Sequence, residues 1–193
     1  MHEWTHADLV GGHAALDFLN TVSDVEKSRQ HTRLETWNDY LGWMAAAKVE
    51  QSQPVSGPKT SHSATLANLH ELREVSYSIF SALAAGNTPN DKVLEKLQTF
   101  IKDAYEYADL TVERGELRWK LRKKDRALHV HRLVLLIDDF IRTADFRRLR
   151  ECGRCTWLFL DTGRGHGRKW CDMRKCGNRA KSESFRSKHP TRV

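Results

Sequence analysis

Four cysteines are the residues of this chain best suited to chemistry, and all of them lie in one C-terminal stretch: Cys152, Cys155, Cys171 and Cys176. Their spacing is Cys-x2-Cys, fifteen residues, then Cys-x4-Cys. A Cys-x2-Cys turn aims two sulfurs at one point, and its backbone N–H groups can hydrogen-bond the thiolates. Zn²⁺ has no d-electron geometric preference and takes four such sulfurs tetrahedrally. The stretch is shorter than about 50 residues and too small to hold itself together by burial, so a structural metal supplies the missing stability. Zinc leads this reading; an iron–sulfur cluster, free thiols or disulfides are the alternatives, disulfides fitting least well with an intracellular chain. Four cysteines close the coordination sphere and leave no position for a reactive water. The H-x-E and P-C-x-x-C pair of the nucleobase deaminases is absent.

A second metal-like pattern stands at the other end. His2-Glu3-Trp4-Thr5-His6 has the H-E-x-x-H spacing of zinc-protease helices. It begins at the second residue, has no identifiable third ligand, and reads as a chance match in a frayed terminus. His166, in a glycine-rich turn, reads as a loop histidine. No nucleophile–base pair or phosphate loop is evident, so no enzyme is expected.

After the last cysteine the residues turn basic. At 100° per residue, Lys175, Arg179, Ser182 and Arg186 fall on one helical stripe, flanked by Asn178, Lys181 and Lys188. Arg and Asn are the side chains that read guanine and adenine edges, and Lys and Arg grip phosphates. Arg164, Arg168 and Lys169 could add a second phosphate grip from the turn before the helix. A solvated charged face or an acidic protein partner is the competing reading. Phe185 is expected to pack back onto the finger's hairpin.

These residues need elements to position them. Of the 32 Lys and Arg residues, 15 lie in residues 142–193, against only 5 of the 25 Asp and Glu. The overall charge of +7 therefore hides a slightly acidic body and a strongly basic tail. With 193 residues the chain can bury a real core. No apolar run is long enough to span a bilayer and no leader pattern opens the chain, so a cytoplasmic location is expected and no membrane partner. Within the tail, Trp157–Leu160 reads as one strand, Arg168–Trp170 as its returning partner, and a helix begins near Cys176. Knuckle, hairpin, helix is the order of a treble-clef-like finger.

The body reads as helices. Gly11-Gly12 precedes a short apolar helix through Leu16, Phe18 and Leu19. Asp17 and Asn20 lie on or beside its stripe, either lining a ligand pocket or bonding backbone to fix a packing angle. Trp37, Tyr40, Leu41 and Met44 mark a second helix capped by Thr36. Residues 50–62 read as a loop. Two longer helices follow, one ending near Gly86 and the next starting after Pro89. The period then changes to two around Gly115, which predicts a β-hairpin over residues 110–121 with a half-buried face. A last strong helix carries Val130, Leu133, Ile137 and Phe140, with His129 and His131 as packing or surface residues. The fold class is therefore mainly α, a helical N-terminal domain with one β-hairpin plus the small finger.

The run Cys152…Cys155-Thr-Trp-Leu-Phe-Leu-Asp161…Arg168-Lys-Trp170-Cys171…Cys176-Gly177-Asn178-Arg179-Ala-Lys181 resembles the CGNR-type zinc finger. Gly11-Gly12…Leu16-Asp17-Phe18-Leu19-Asn20-Thr21 resembles the start of the ABATE domain that accompanies this finger in bacterial proteins. The resemblance implies an ABATE-like domain over 1–145, sensing a ligand or dimerising, and the finger over 146–193. It implies zinc on the four cysteines, with Asp161, Arg168, Trp170, Asn178, Arg179 and Lys181 as motif positions. The family is described as stress-induced transcription regulators, so DNA is the expected partner, with a small-molecule effector in the helical domain and a homodimer as further expectations. A ligand- or protein-binding module clamped by the finger, or an RNA binder, is the alternative.

Overall fold

The computed structural model describes residues 2–23, 27–49, 59–122, 127–163, 165 and 167–188. In chain order its elements are α1 (Ala14–Leu19), β1 (Val22–Ser23), β2 (His31–Thr32), α2 (Trp37–Ala46), α3 (Lys59–Ala84), α4 (Asp91–Glu106), β3 (Ala108–Glu113), β4 (Glu116–Leu121), α5 (Leu128–Thr143), β5 (Leu149–Glu151), β6 (Leu158–Leu160) and α6 (Asn178–Lys188). The fold is mainly helical, and its strands form three two-stranded antiparallel sheets. Two compact units result, one built from residues 1–50 together with 146–193, the other from residues 51–145. The units meet at 145/146 and again at 50/51, and residues 1–50 group with residues 146–193. The first 50 residues share a core with the finger.

In the unit of residues 51–145, α3, α4 and α5 bury Leu69, Leu72, Phe80, Leu97, Leu133, Ile137 and Phe140. The Phe80 and Phe140 rings meet at 5.1 Å. Residues 59–62, expected in a loop, are the first turn of α3. The sequence after Pro58 holds no helix breaker until Gly86, so the helix runs the whole way. The remainder of that loop, residues 50–58, lies outside the described residues. Asn90 caps α4 by accepting from the Lys92 N–H at 3.0 Å. His129 and His131 both pack inside, and burial holds the His129 imidazole neutral, its pKa lowered to about 4.

The hairpin forms where expected. Arg114 and Gly115 both have positive φ, the requirement of a tight turn that matches strand twist. Its register places Leu110 opposite Trp119 and Val112 opposite Leu117. The expected half-buried face is a correction. Only Ala108, at its base, is buried, whereas Leu110, Val112, Leu117 and Trp119 all stand in solvent.

In the other unit, α1 and α2 bury Leu16, Phe18, Leu19, Tyr40, Trp43 and Met44. Thr36 and Asp39 form a reciprocal capping box at the start of α2, as the sequence predicts for Thr36. The finger's hairpin differs from expectation. β6 pairs with β5, upstream, through Leu149↔Leu160 and Glu151↔Leu158. The Cys152–Cys155 knuckle is the turn between these strands, closed by Cys152 N–H to Trp157 C=O at 2.9 Å. Residues 168–170 are not a strand, because their groups serve elsewhere: Arg168 N–H donates to Asp161, and Lys169 C=O accepts from Gly153.

Candidate metal centre and nucleic-acid interface

The knuckle brings in Cys152 and Cys155. The second pair comes from the entry to α6. There Asp172 accepts from the Arg174 N–H at 2.6 Å, and the Gly177 N–H reaches the Asp172 carbonyl at 3.1 Å, making a wide turn that holds Cys176 inward. A Cβ at Gly177 would press on the Met173 side chain and the Trp170 ring, so the glycine lets both close over the turn.

The four Sγ atoms lie within 4.8 Å of one another, and all four residues are buried. Three of the separations are 3.7 Å (Cys155–Cys171), 3.6 Å (Cys171–Cys176) and 3.7 Å (Cys155–Cys176). A tetrahedron with Zn–S bonds of about 2.3 Å has edges of about 3.8 Å. A disulfide would need about 2.05 Å, and the cysteines are free. Four sulfurs this close cannot all ionise without a counter-charge. Hydrogen bonds from the other three hold the Cys152 thiol below its ordinary range, while Cys155 and Cys171, bonded to Cys152, are pushed above it. A dication resolves that conflict by letting every sulfur ionise. The donor set, burial and spacing fit Zn²⁺ in a closed structural site. The Cys171 N–H adds a 3.3 Å bond to the Cys152 sulfur.

The centre is built into the N-terminal segment. Val22 joins the four cysteines, Trp157 and Phe159 in one buried cluster, with Val10 and Trp170 against it. Trp157 Nε1 donates to Val22 C=O at 3.1 Å, and Leu160 N–H to Gly11 C=O at 2.9 Å. Asn20 bonds both groups of one β6 peptide position, Nδ2 to Leu158 C=O at 2.9 Å and Leu158 N–H to Oδ1 at 2.8 Å. Asp17 accepts from the Gly11 N–H at 2.8 Å, and burial raises its pKa to about 6. Of the two readings for Asp17 and Asn20, the structure therefore displays backbone bonding that fixes packing.

The basic residues separate into two groups. Arg168 braces the finger: its guanidinium donates to the Trp170 and Cys171 carbonyls and lies 4.3 Å over the Phe159 ring. The buried Asp161 accepts from Gly163 and Arg168 N–H groups. Lys169 lies over Trp170. Lys175 donates to Asp8 at 3.2 Å and to the Ala7 carbonyl at 3.3 Å. Asp8 also accepts from Arg33 at 2.9 Å. Burial pushes the Asp8 carboxyl up, but hydrogen bonds from Thr5 and Arg33 outweigh it and hold it below the ordinary range. By contrast, Arg179, Lys181 and Arg186 are exposed on α6 and make no ion pair among the described residues. Asn178 donates only to the Arg174 carbonyl, at 3.2 Å.

An open groove runs along α6, lined by Arg154, Arg174, Lys175, Asn178, Arg179, Ser182, Glu183 and Arg186. It contains the whole predicted stripe, while Lys181 and the scaffold residues Arg168 and Lys169 lie outside its lining. Arg164 lies outside the described residues. Arg154, Arg174 and Glu183 are additions to the predicted stripe, Glu183 from α6 itself and Arg174 from its entry. Arg154 comes from the knuckle and pairs with Glu183 at 2.5 Å, so only the tertiary fold brings it to the helix. Phe185, expected to pack back, is largely exposed on α6.

Residues 2–6 correct another expectation. The segment is docked, with His2 N–H on Asp39 at 2.6 Å and Trp4 Nε1 on the Asp39 carbonyl at 2.9 Å. It enters a short turn over His6–Asp8 rather than the long helix the H-E-x-x-H pattern needs.

A buried four-sulfur site at a knuckle and a helix entry defines a treble-clef-like zinc-finger protein. The comparisons with known proteins carry this further: residues 148–189 match the CGNR zinc finger. Residues 12–145 match the ABATE family, described as "Putative stress-induced transcription regulator". That match spans more than half of the chain, and the chain belongs to the ABATE family. No curated protein matches it. Among the described residues, no helix is long and apolar enough to cross a membrane.

Proposed function

We propose that this protein is a cytoplasmic, DNA-binding transcription regulator that grips duplex DNA through the α6 groove. The observation that carries the reading is the groove itself. Five cations from the knuckle, the helix entry and α6 surround Asn178 on a zinc-fixed helix. Arg179 and Arg186 are the groove's cations with least intramolecular work, Arg174 and Arg154 being paired with Asp172 and Glu183, and Lys181 adds an exposed charge beside the groove. Arg168, Lys169 and Lys175 support the groove before they support a phosphate. Asn178 is the candidate for reading an adenine edge. No catalytic step is needed. The helical unit is the candidate seat of a small-molecule effector.

The alternative, a protein- or ligand-binding module clamped by the finger, draws on the finger's shared core with residues 1–50. An RNA reading needs exposed aromatic platforms. Trp157 and Phe159 are buried and Trp170 is half-buried, so the finger's strands offer no such platform; the exposed aromatic of α6 is Phe185.

The test is anisotropy of labelled duplex DNA titrated with zinc-loaded protein at several salt concentrations. Affinity should fall steeply with salt, by about 0.9 log units per log unit of salt for each neutralised phosphate. Arg179→Ala should weaken binding at least about tenfold and lower that slope by about one contact, with zinc content unchanged. Negligible duplex binding at low salt, or an unchanged Arg179→Ala titration, would overturn the reading.

A further inference from the structure

The β3–β4 hairpin has one finished face and one unfinished face. On the finished face lie Asp109, Thr111, Glu113, Glu116, Arg118 and Lys120, set there by the register. Lys120 pairs with Glu113 at 2.5 Å and Arg118 with Glu116 at 2.5 Å. Arg122, just past β4, pairs with Asp109 at 2.8 Å. Thr111 Oγ1 donates to the Arg118 carbonyl at 3.2 Å. These polar groups need no further partner.

The opposite face carries Leu110, Val112, Leu117 and Trp119, exposed by 55%, 69%, 69% and 45%. They form two directly opposed pairs, Leu110 with Trp119 and Val112 with Leu117, so the four side chains make one continuous apolar surface. Trp119 is held in place edge-on by the Tyr105 ring at 4.9 Å. Isolated exposed apolar residues are ordinary, but four in register on one face are not. Strand propensity does not require Leu, Val, Leu and Trp here, since the reverse face forms the same ladder with polar residues.

We propose that this face is the homodimer interface, packed against the same face of a second copy about a two-fold axis. Charge selects the occupant. The face carries no ionisable side chain, so a nucleic acid or a charged peptide would find no counter-charge on it. A second hairpin offers a surface of the same kind with its charges turned to the far side, so the pairing buries no unpaired ion. The contact is isologous and closes at two copies, which avoids open-ended assembly. The four half-exposed side chains offer on the order of 400 Å² per copy, or about 800 Å² for two; a stable interface needs about 1,200 Å², so the polar edges of the hairpin would supply the remaining third and the dimer would be a weak one. Trp119, rigid and amphipathic, is the natural anchor.

The test is sedimentation equilibrium on full-length, zinc-loaded protein without DNA, which keeps it independent of the proposed function. The wild type should show a concentration-dependent monomer–dimer equilibrium. Leu117→Asp and, separately, Val112→Lys should raise the dimer Kd by at least about 100-fold, because each buries an unpaired charge at the centre. Arg118→Ala, on the reverse face, should leave it within about threefold. Leu117→Cys should cross-link copies to each other under mild oxidation. Circular dichroism and zinc content identify any variant that fails to fold, in which case the cross-link and the other variant decide. A wild type that is monomeric at the highest soluble concentration, or a dimer that survives both charged substitutions in folded protein, would overturn the proposal.

Discussion

Asn20 is almost fully buried, and its amide is spent on the N–H and C=O of Leu158, which is itself completely buried. Asn20→Ala would strand both backbone groups away from water, at a cost of about 2–4 kcal/mol. Denaturant unfolding of the zinc-loaded protein should show that loss, and a change under about 0.5 kcal/mol would show that the pair does not hold α1 to β6. Asp17, one turn earlier, carries a pH signature. Its folded pKa of about 6 lies above the ordinary 3.8, so the folded state binds the proton more tightly than the unfolded chain. The resulting stability is complete below the unfolded pKa and is lost as pH rises through about 6. Asp17→Asn keeps an acceptor for the Gly11 N–H and removes the loss. The variant's advantage should grow by about 1 kcal/mol between pH 5 and 7 and stay level above that. A pH-independent difference would show that the carboxylate is not what the fold works against.

At the scale of elements, α6 and its entry divide into scaffold and free surface. Arg168 closes two carbonyls beside Cys171 and covers Phe159, so Arg168→Ala should lower the Tm and speed zinc release to a chelator. Arg179 makes no ion pair among the described residues, so Arg179→Ala should move neither. Equal behaviour of the two variants would erase the division. Periodicity alone could not have drawn it. The stripe at Lys175, Arg179 and Arg186 was legible because helical geometry is local. Whether a given lysine faces solvent or Asp8 is decided by a residue 167 positions away. The cysteine site was legible for the same local reason, since Cys-x2-Cys aims its own sulfurs. The strand that pairs with β6 was not: Leu149–Glu151 is only three residues long, too short for alternation to register. The β3–β4 hairpin shows the converse limit. Its alternation and turn were plain, but alternation gives the apolar face without saying what covers it.

Over the whole molecule, the family matches and the packed units differ in where they put residues 1–50, and zinc removal should reveal which grouping governs folding. The family matches meet between residues 145 and 148. The packed unit instead joins residues 1–50 to 146–193. Its buried cluster takes Val22 from one segment and Trp157, Phe159 and the cysteines from the other. Bonds from Gly11, Asn20 and Val22 to β6 and Trp157 tie the same segments together. A finger with a core of its own would lose structure alone when its metal is stripped. This one takes much of its apolar lining from the N-terminal segment, so both segments should open together. Hydrogen exchange before and after chelation should show protection lost over residues 10–23 as well as 148–178, and retained in α3, α4 and α5, whose core contains none of the cysteines. Cys171→Ser should reproduce that pattern without chelator. Loss confined to residues 146–188 would mean that the finger folds as an independent appendage, and that the contacts at Asn20 and Val22 follow its folding rather than take part in it.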